Sequence, residues 1–285
     1  ILSSHQYSYI TDEGGNIGTI YDPYGLYNNT LQNFNYYNSE IAKNNASDME
    51  FWCDEYFSGD PDAKYASNKG IQMTQFAAGL TAGMNNGINR FSTWQMFDVL
   101  WDSNSAHGDA INGDGQFGGG VHVCGTCPSL VFADGKRCTR SNCSCQKYDS
   151  RYHSNGCDDP YVPRVTYYGI NLIGKYMNND NADVFKTEVI NVSGNEEGGV
   201  YVSAIKNDEG KTVVLVVNTM STTSSVNLEF DKDYTIFTRY TYDPNEVVPT
   251  KEATSLPGDK TINMEFPNFF YDIIPAQSFA IYVET

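Results

Sequence analysis

The sequence predicts two parts of different fold class: an α/β part over residues 1–182 and an antiparallel all-β part, a β-sandwich, over residues 183–285. In the first part, strand-like and helix-like segments alternate with short connections, the order typical of a parallel sheet. In the second part, short runs rich in β-branched and aromatic residues are separated by turn signals. With 285 residues, 40% of them apolar, the chain is large enough to form two packed domains.

The first part opens with a β-like segment, residues 1–9, and a loop punctuated by Gly and Asp. A short helix is predicted next, before the pair Asn44–Asn45, because one face recurs at helical spacing. That face consists of Leu31, Phe34, Asn38 and Ile41. Residues 49–56 then form a compact apolar run, which is typical of a buried parallel strand.

The strongest helical pattern covers residues 70–86 and ends at Gly87, where a glycine commonly terminates a helix. Its apolar face consists of Met73, Phe76, Ala77, Leu80 and Met84. A strand is predicted over 88–94. A long insertion without periodicity follows at about 102–160, and a last helix begins after Pro163.

The all-β part is predicted from six short runs with strand composition. Turn sequences such as Asn207-Asp208-Glu209-Gly210 separate them. The predicted strands are 200–205, 212–218, 225–230, 234–242, 261–266 and 278–283.

The charge balance limits the possible partners of the chain. Eighteen basic and 35 acidic residues give a net charge of −17, with no acidic block. Proteins bind nucleic acids and anionic membranes through Lys and Arg side chains, so this negative charge disfavours both as partners. A neutral polymer such as a polysaccharide is compatible with this charge. No run reaches the length of about 18 apolar residues that a membrane-spanning helix needs.

Six of the seven cysteines cluster in the insertion, while Cys53 stands apart. An even-numbered cluster in a loop rich in Gly and Asn favours three disulfides and an oxidising, extracellular compartment. The alternative is a zinc site built on Cys124-x2-Cys127, with two later thiolates and either His122 or His153. The six clustered residues are Cys124, Cys127, Cys138, Cys143, Cys145 and Cys157.

The sequence also contains four possible N-glycosylation sites. These sequons begin at Asn28, Asn45, Asn142 and Asn191, in a chain rich in Asn. The first residues include no initiator Met and no signal-peptide pattern. We therefore expect either that a leader and more were removed or that the chain is a fragment.

Three strand ends and their order resemble the C-terminal half of clan A glycoside hydrolases, in the style of the xylosidase, arabinofuranosidase, heparanase and glucosylceramidase branches. Ser3-Ser4-His5-Gln6-Tyr7 is similar to the end of that clan's sixth barrel strand. Phe51-Trp52-Cys53-Asp54-Glu55-Tyr56 is similar to the seventh. The segment 87–94, ending at Trp94, is similar to the eighth, and Ser278-Phe279-Ala280-Ile281-Tyr282 to the closing strand of the clan's small sandwich.

The resemblance implies the C-terminal part of a (β/α)8 TIM barrel followed by a β-sandwich, and a retaining glycoside hydrolase as the function. It makes Glu55 the nucleophile, with His5 and Tyr7 beside it. It makes Trp94 the floor of the sugar site, and Trp101 is expected to line the cleft. We expect no cofactor. We also assign no metal ion, because Asn112-Gly113-Asp114-Gly115 resembles a calcium loop only loosely and lacks its terminal Glu. The substrate would be a polysaccharide or a glycoconjugate.

Strand alternation gives a physical reason to favour Glu55. In an uninterrupted strand Phe51, Cys53 and Glu55 share one face, so that Glu55 would stand at the barrel mouth if the other two fill the interior. The alternative for Glu55 is a surface carboxylate at a strand end. The alternative for His5 is a purely structural role, and the alternative for Trp94 is a position in the hydrophobic core.

The acid/base Glu of the clan lies on the fourth barrel strand, and no residue here precedes the sixth. A barrel of this type takes about 250 residues, so we expect the N-terminal barrel half in another segment or in a cleaved partner chain. The rival function is that of a non-catalytic extracellular glycoprotein, which uses a glycosidase-like fold for carbohydrate binding or structural assembly. An Asn-Glu at the end of an upstream fourth strand would favour catalysis.

Overall fold

A computed structural model of the chain describes residues 2–7, 25–46, 49, 51–57, 71–87, 90–93, 99–100, 116–117, 121–122, 162–163, 165–177, 183–185, 199–230, 236–246, 260–263 and 268–285. None of the described helices is long and apolar enough to span a membrane.

The N-terminal part is a parallel sheet with helical connections, as the sequence predicts. Its elements are β1 (Leu2–Tyr7), α1 (Gly25–Lys43), β2 (Phe51–Phe57), α2 (Ile71–Asn86) and β3 (Arg90–Thr93). The three strands lie in the order β1-β2-β3, and both neighbouring pairs are parallel. Chain order therefore equals spatial order, which is the arrangement of consecutive βαβ units.

Both helices end where the sequence predicts a break. Asn45, just beyond α1, has a φ of 52°, and Gly87, just beyond α2, has a φ of 88°. These left-handed conformations let the chain leave the helix, and both Gly and Asn adopt them at low cost. Helix α1 begins at Gly25, well before the predicted face, and its exposed side carries Asn and Gln residues.

Between β3 and the C-terminal part, the described elements are four two-residue strands and one helix. The strands pair as β4 with β5 and β6 with β7, each pair antiparallel. Helix α3 confirms the helix predicted after Pro163. These elements are β4 (Val99–Leu100), β5 (Gln116–Phe117), β6 (Val121–His122), β7 (Val162–Pro163) and α3 (Val165–Tyr176).

The described residues of the C-terminal part form eight strands in two sheets. A six-stranded sheet has the order β13-β12-β15-β10-β9-β8, and β11 and β14 form a two-stranded sheet. The sequence prediction missed β8 and β14. The strand predicted over 261–266 begins one residue after β13 begins, and positions 264–266 lie outside the described residues. The strands are β8 (Asp183–Phe185), β9 (Val200–Lys206), β10 (Thr212–Asn218), β11 (Ser224–Glu229), β12 (Ile236–Tyr242), β13 (Lys260–Asn263), β14 (Phe269–Ile274) and β15 (Ser278–Glu284).

The six-stranded sheet is covered on both faces. On one face, Val214, Val216 and Tyr282 share a core cluster with Phe270 and Ile274 of β14. On the other face, residues of β9, β10, β12 and β15 join a second cluster with residues of α2 and α3. All seven residues of β10 are buried, which explains why its sequence reads as a continuous apolar run.

Polar contacts also join the helices to this sheet. The Thr74 hydroxyl, on α2, donates to the Gln277 carbonyl at 2.7 Å. Near the other end of α2, the Asn85 amide donates to the Val202 carbonyl at 2.8 Å. Helix α2 is therefore fixed to the sheet near both of its ends. The hydrophobic core accordingly crosses the predicted boundary between residues 182 and 183.

Candidate active site

The carboxyl ends of β1, β2 and β3 lie at one edge of the parallel sheet, where enzymes of this architecture hold their catalytic groups. The backbone register places His5 opposite Glu55 and Tyr7 opposite Phe57. On the other side of β2, Tyr56 stands opposite Thr93, the last residue of β3. Two of the predicted site residues, His5 and Glu55, are thus direct neighbours on adjacent strands.

Strand β2 carries one extra residue at this point. Ser4 pairs with Cys53, but the next residue of β1, His5, pairs with Glu55, so Asp54 has no counterpart on β1. The same offset occurs toward β3, where pairing shifts between Cys53 and Tyr56. Irregularities of this kind bend a strand and are frequent next to active sites, where they redirect the residues that follow.

The extra residue changes the alternation argument made from the sequence. Partners in a parallel pair share a face, so the register puts position 55 in phase with His5 and out of phase with Cys53. Cys53 is fully buried in the core cluster that contains residues of α1 and α2. Cys53 therefore packs on the side of the sheet that carries these helices, and the expectation that Cys53 and Glu55 share one face is wrong.

The helical layer behind these strands is closely packed. Residues 73–83 of α2 are all buried, including polar Thr74, Gln75 and Thr81. The Thr81 hydroxyl donates a hydrogen bond to the Ala78 carbonyl, one turn earlier in the helix, at 2.6 Å. Residues of α2 share one core cluster with residues of α1, α3 and the six-stranded sheet.

Helix α1 is joined to the C-terminal sheet by stacked aromatic rings. The rings of Tyr27 and Tyr201 are 4.1 Å apart between centroids and inclined by 25°. Burial raises the pKa of Tyr27 above its ordinary value, since the phenolate form would lose its solvation there. The phenol is therefore neutral at physiological pH, and its role here is packing.

The remaining predicted site residues divide into exposed and undescribed ones. Asn28 and Asn45, two of the predicted glycosylation sites, are exposed. Trp94, Trp101, the six clustered cysteines, Asn142 and Asn191 lie outside the described residues. Cys53 is buried. Within the described ranges, no group of three or more His, Cys, Asp or Glu side chains is placed to hold a metal ion.

One feature of the site has no signal in the sequence. The extra residue at Asp54 is flanked by Cys and Glu, and neither Gly nor Pro marks the irregularity. Asp54 could be interpreted from the sequence only as a surface or loop-capping carboxylate. Asp54 is the extra residue only in relation to the pairing of β2 with β1 and β3, and the sequence of one strand does not reveal how it pairs with its neighbours.

In fold, the chain resembles glycoside hydrolases of the (β/α)8-barrel class. The arabinose-bound α-L-arabinofuranosidase MgGH51 matches with a TM-score of 0.56 and 15% identity, over 99% of this chain and 36% of that one. The GH51 arabinofuranosidase from Xanthomonas axonopodis pv. citri gives 0.54 and 11%, over 100% of this chain and 52% of that one. The α-L-arabinofuranosidase from Thermotoga maritima, in complex with arabinose, gives 0.52 and 13%, over 99% and 52%.

These TM-scores, at such low identities, show a shared fold. The chain spans only about a third to half of the length of these three structures. No protein-family model and no curated protein matches the sequence.

Proposed function

We propose that this chain is the C-terminal portion of a retaining glycoside hydrolase, in which the last strands of a (β/α)8 barrel precede an antiparallel β-sandwich domain. The observation that carries the proposal is the pairing of His5 with Glu55 beside the extra residue of β2. The pair lies toward the carboxyl ends of parallel strands, where such barrels perform their chemistry. The likeness to barrel glycosidases supplies the chemical class.

In the proposed reaction, the Glu55 carboxylate attacks the anomeric carbon and forms a glycosyl ester as the bond to the leaving oxygen breaks. A second carboxylic acid, about 5–5.5 Å away in retaining enzymes, gives its proton to that oxygen. The same group then removes a proton from the water that hydrolyses the ester. We assign it to an upstream barrel segment, in the same or a cleaved chain, because the matched structures extend well beyond this one.

The neighbouring residues have supporting roles in this proposal. His5 and Tyr7 donate hydrogen bonds that keep Glu55 ionised, since a hydrogen bond to the charged form favours it. Trp94 and Trp101 provide flat apolar surfaces for the sugar. The extra residue at Asp54 puts Glu55 in register with His5; without it, position 55 would follow Cys53 in phase.

We also propose that the protein is extracellular. This follows from the cluster of six cysteines, which we assign to three disulfides, and from the acidic charge, which suits a neutral glycan substrate. The exposure of Asn28 and Asn45 leaves both available for N-linked glycans.

The test uses the protein with its upstream residues and compares Glu55→Gln with its neighbour Asp54→Asn. Glu55→Gln removes the attacking charge and little volume, so hydrolysis of an aryl α-L-arabinofuranoside, or of the glycoside the wild type prefers, should fall to background. Asp54→Asn, a matched carboxylate-to-amide change, should retain most activity. Circular dichroism of both variants should equal that of the wild type.

Direct labelling identifies the nucleophile independently of rates. A 2-deoxy-2-fluoroglycoside with a good leaving group forms a slowly hydrolysed ester, so the peptide that contains Glu55 should gain the mass of the fluorosugar. Labelling of a different carboxylate would refute the assignment of Glu55. If the wild type neither turns over nor becomes labelled, and yet binds glycans, the non-catalytic alternative is the better description.

A further inference from the structure

The outer face of the two-stranded sheet carries an organised row of side chains that the proposed reaction does not use. Along β14 the burial alternates, so that Phe270, Asp272 and Ile274 are buried and the residues between them face outward. Tyr271 is 53% exposed and Ile273 is 47% exposed, which makes them two of the most exposed large apolar side chains among the described residues.

The partner strand completes this face with polar groups. In the β11–β14 register, Ser225 stands opposite Ile273, Asn227 opposite Tyr271, and Glu229 opposite Phe269. All three residues of β11 are exposed. We call these six residues the outer platform. An aromatic or aliphatic side chain lies beside a hydroxyl, an amide or a carboxylate at each step, and no platform residue is basic.

Tyr271 is held in one orientation on this platform. Its hydroxyl donates to the Ser225 hydroxyl oxygen at 2.9 Å, although Asn227 is its direct cross-strand partner. Diagonal neighbours in such a pair are about 7–8 Å apart, so the ring must lean along the sheet to reach Ser225. A ring fixed in this way presents a preformed surface and loses little side-chain freedom when a ligand binds.

We propose that the outer platform binds a neutral polysaccharide chain, with a sugar ring stacked on Tyr271 and its hydroxyls bonded to Asn227 and Glu229. Alternate strand residues recur every ~6.5–7 Å, so the platform offers a linear series of contacts to a linear polymer. The lack of basic side chains, in a chain of net charge −17, disfavours an anionic glycan. This site is separate from Glu55, and its occupancy requires no turnover.

Affinity electrophoresis of the intact protein in gels containing soluble polysaccharide tests the proposal. The neutral probes are arabinoxylan, arabinan, mixed-linkage β-glucan and galactomannan, and polygalacturonate is the anionic probe. The variants are Tyr271→Ala, Ser225→Ala and Tyr36→Ala; Tyr36, on α1, is 61% exposed and serves as the matched exposed tyrosine. A Glu55→Gln background prevents hydrolysis of the probes, and thermal melting of each variant checks that it folds.

At least one neutral probe should retard the protein. Tyr271→Ala should weaken that binding about tenfold, Ser225→Ala should weaken it less, and Tyr36→Ala should leave it unchanged. Three outcomes would overturn the proposal: no retardation by any neutral probe, stronger retardation by polygalacturonate, or retardation that Tyr271→Ala leaves intact. A change in oligomeric state on Tyr271→Ala, without a change in retardation, would instead make the platform a protein contact.

Discussion

Helix α3 packs closely against its neighbours at Gly169, so this glycine offers a test of the shared core. A methyl group added there would overlap Met73 Cγ on α2 and lie 3.2 Å from Tyr242 Cε2 on β12. Both neighbours are fully buried. Neither can turn toward solvent, so Gly169→Ala must shift a helix or force side chains from their preferred rotamers.

The expected cost comes from two opposing terms. Adding volume to a packed core costs about 1–3 kcal/mol. Replacing Gly by Ala within a helix returns up to about 1 kcal/mol through backbone entropy. Gly174 lies on the same helix, is exposed, and has nothing within 4 Å of an added Cβ. Gly174→Ala should therefore show only the gain from backbone entropy. The Gly169→Ala variant should be less stable than the Gly174→Ala variant by about 1–3 kcal/mol, the cost of the added core volume.

Urea unfolding followed by far-ultraviolet circular dichroism measures both variants. The double variant Met73→Ala with Gly169→Ala should lose less stability than the sum of the losses of the two single variants, because removing the Met73 side chain relieves the overlap at the added methyl group. Equal stability of Gly169→Ala and Gly174→Ala would refute the described packing of α3 against α2 and the six-stranded sheet.

Two further predictions concern pH and thiol chemistry. Burial, aided by a hydrogen bond with Tyr176, raises the pKa of Tyr240 above its ordinary value of 10.0. The contribution of the neutral Tyr240 phenol to the free energy of unfolding is therefore complete below that value, and it is lost as pH rises through the pKa of the folded state. The urea midpoint of the wild type should therefore fall between about pH 8 and about pH 11 by more than that of Tyr240→Phe; equal falls would contradict this. If the six clustered cysteines form three disulfides, thiol titration should find no reactive thiol in the native protein and one, Cys53, in denaturant. Seven reactive thiols in denaturant, together with bound zinc in the native protein, would support the zinc alternative.

Much of the fold could be predicted because periodicity and turn signals agree locally. The apolar face from Met73 to Met84, closed by Gly87, predicts α2 almost to the residue. The break at Asn45 is equally local. Strand β10 is apolar throughout because it is central and covered on both faces, and such a run is visible in the sequence.

The missed features depend on neighbours in space. Strand β14 contains Asp272, which argues against a buried position until its partners are known. The carboxylate accepts hydrogen bonds from the Tyr282 hydroxyl at 3.0 Å and from Arg239 at 3.3 Å, so the charge is buried with partners. Likewise, the sandwich prediction did not include the helices, because the pattern of a strand does not reveal what covers each of its faces.

The same long-range contacts connect the C-terminal sheet to the candidate active site. Helix α2 follows β2 in the chain and precedes β3, so it lies in the connection between these two strands. The Thr74 and Asn85 hydrogen bonds fix that helix to the turn before β15 and to β9. We therefore expect the six-stranded sheet to act as the support on which the strand ends are held. Substitutions that loosen it should change the geometry around Glu55 before they unfold the chain, since a packed core transmits displacement.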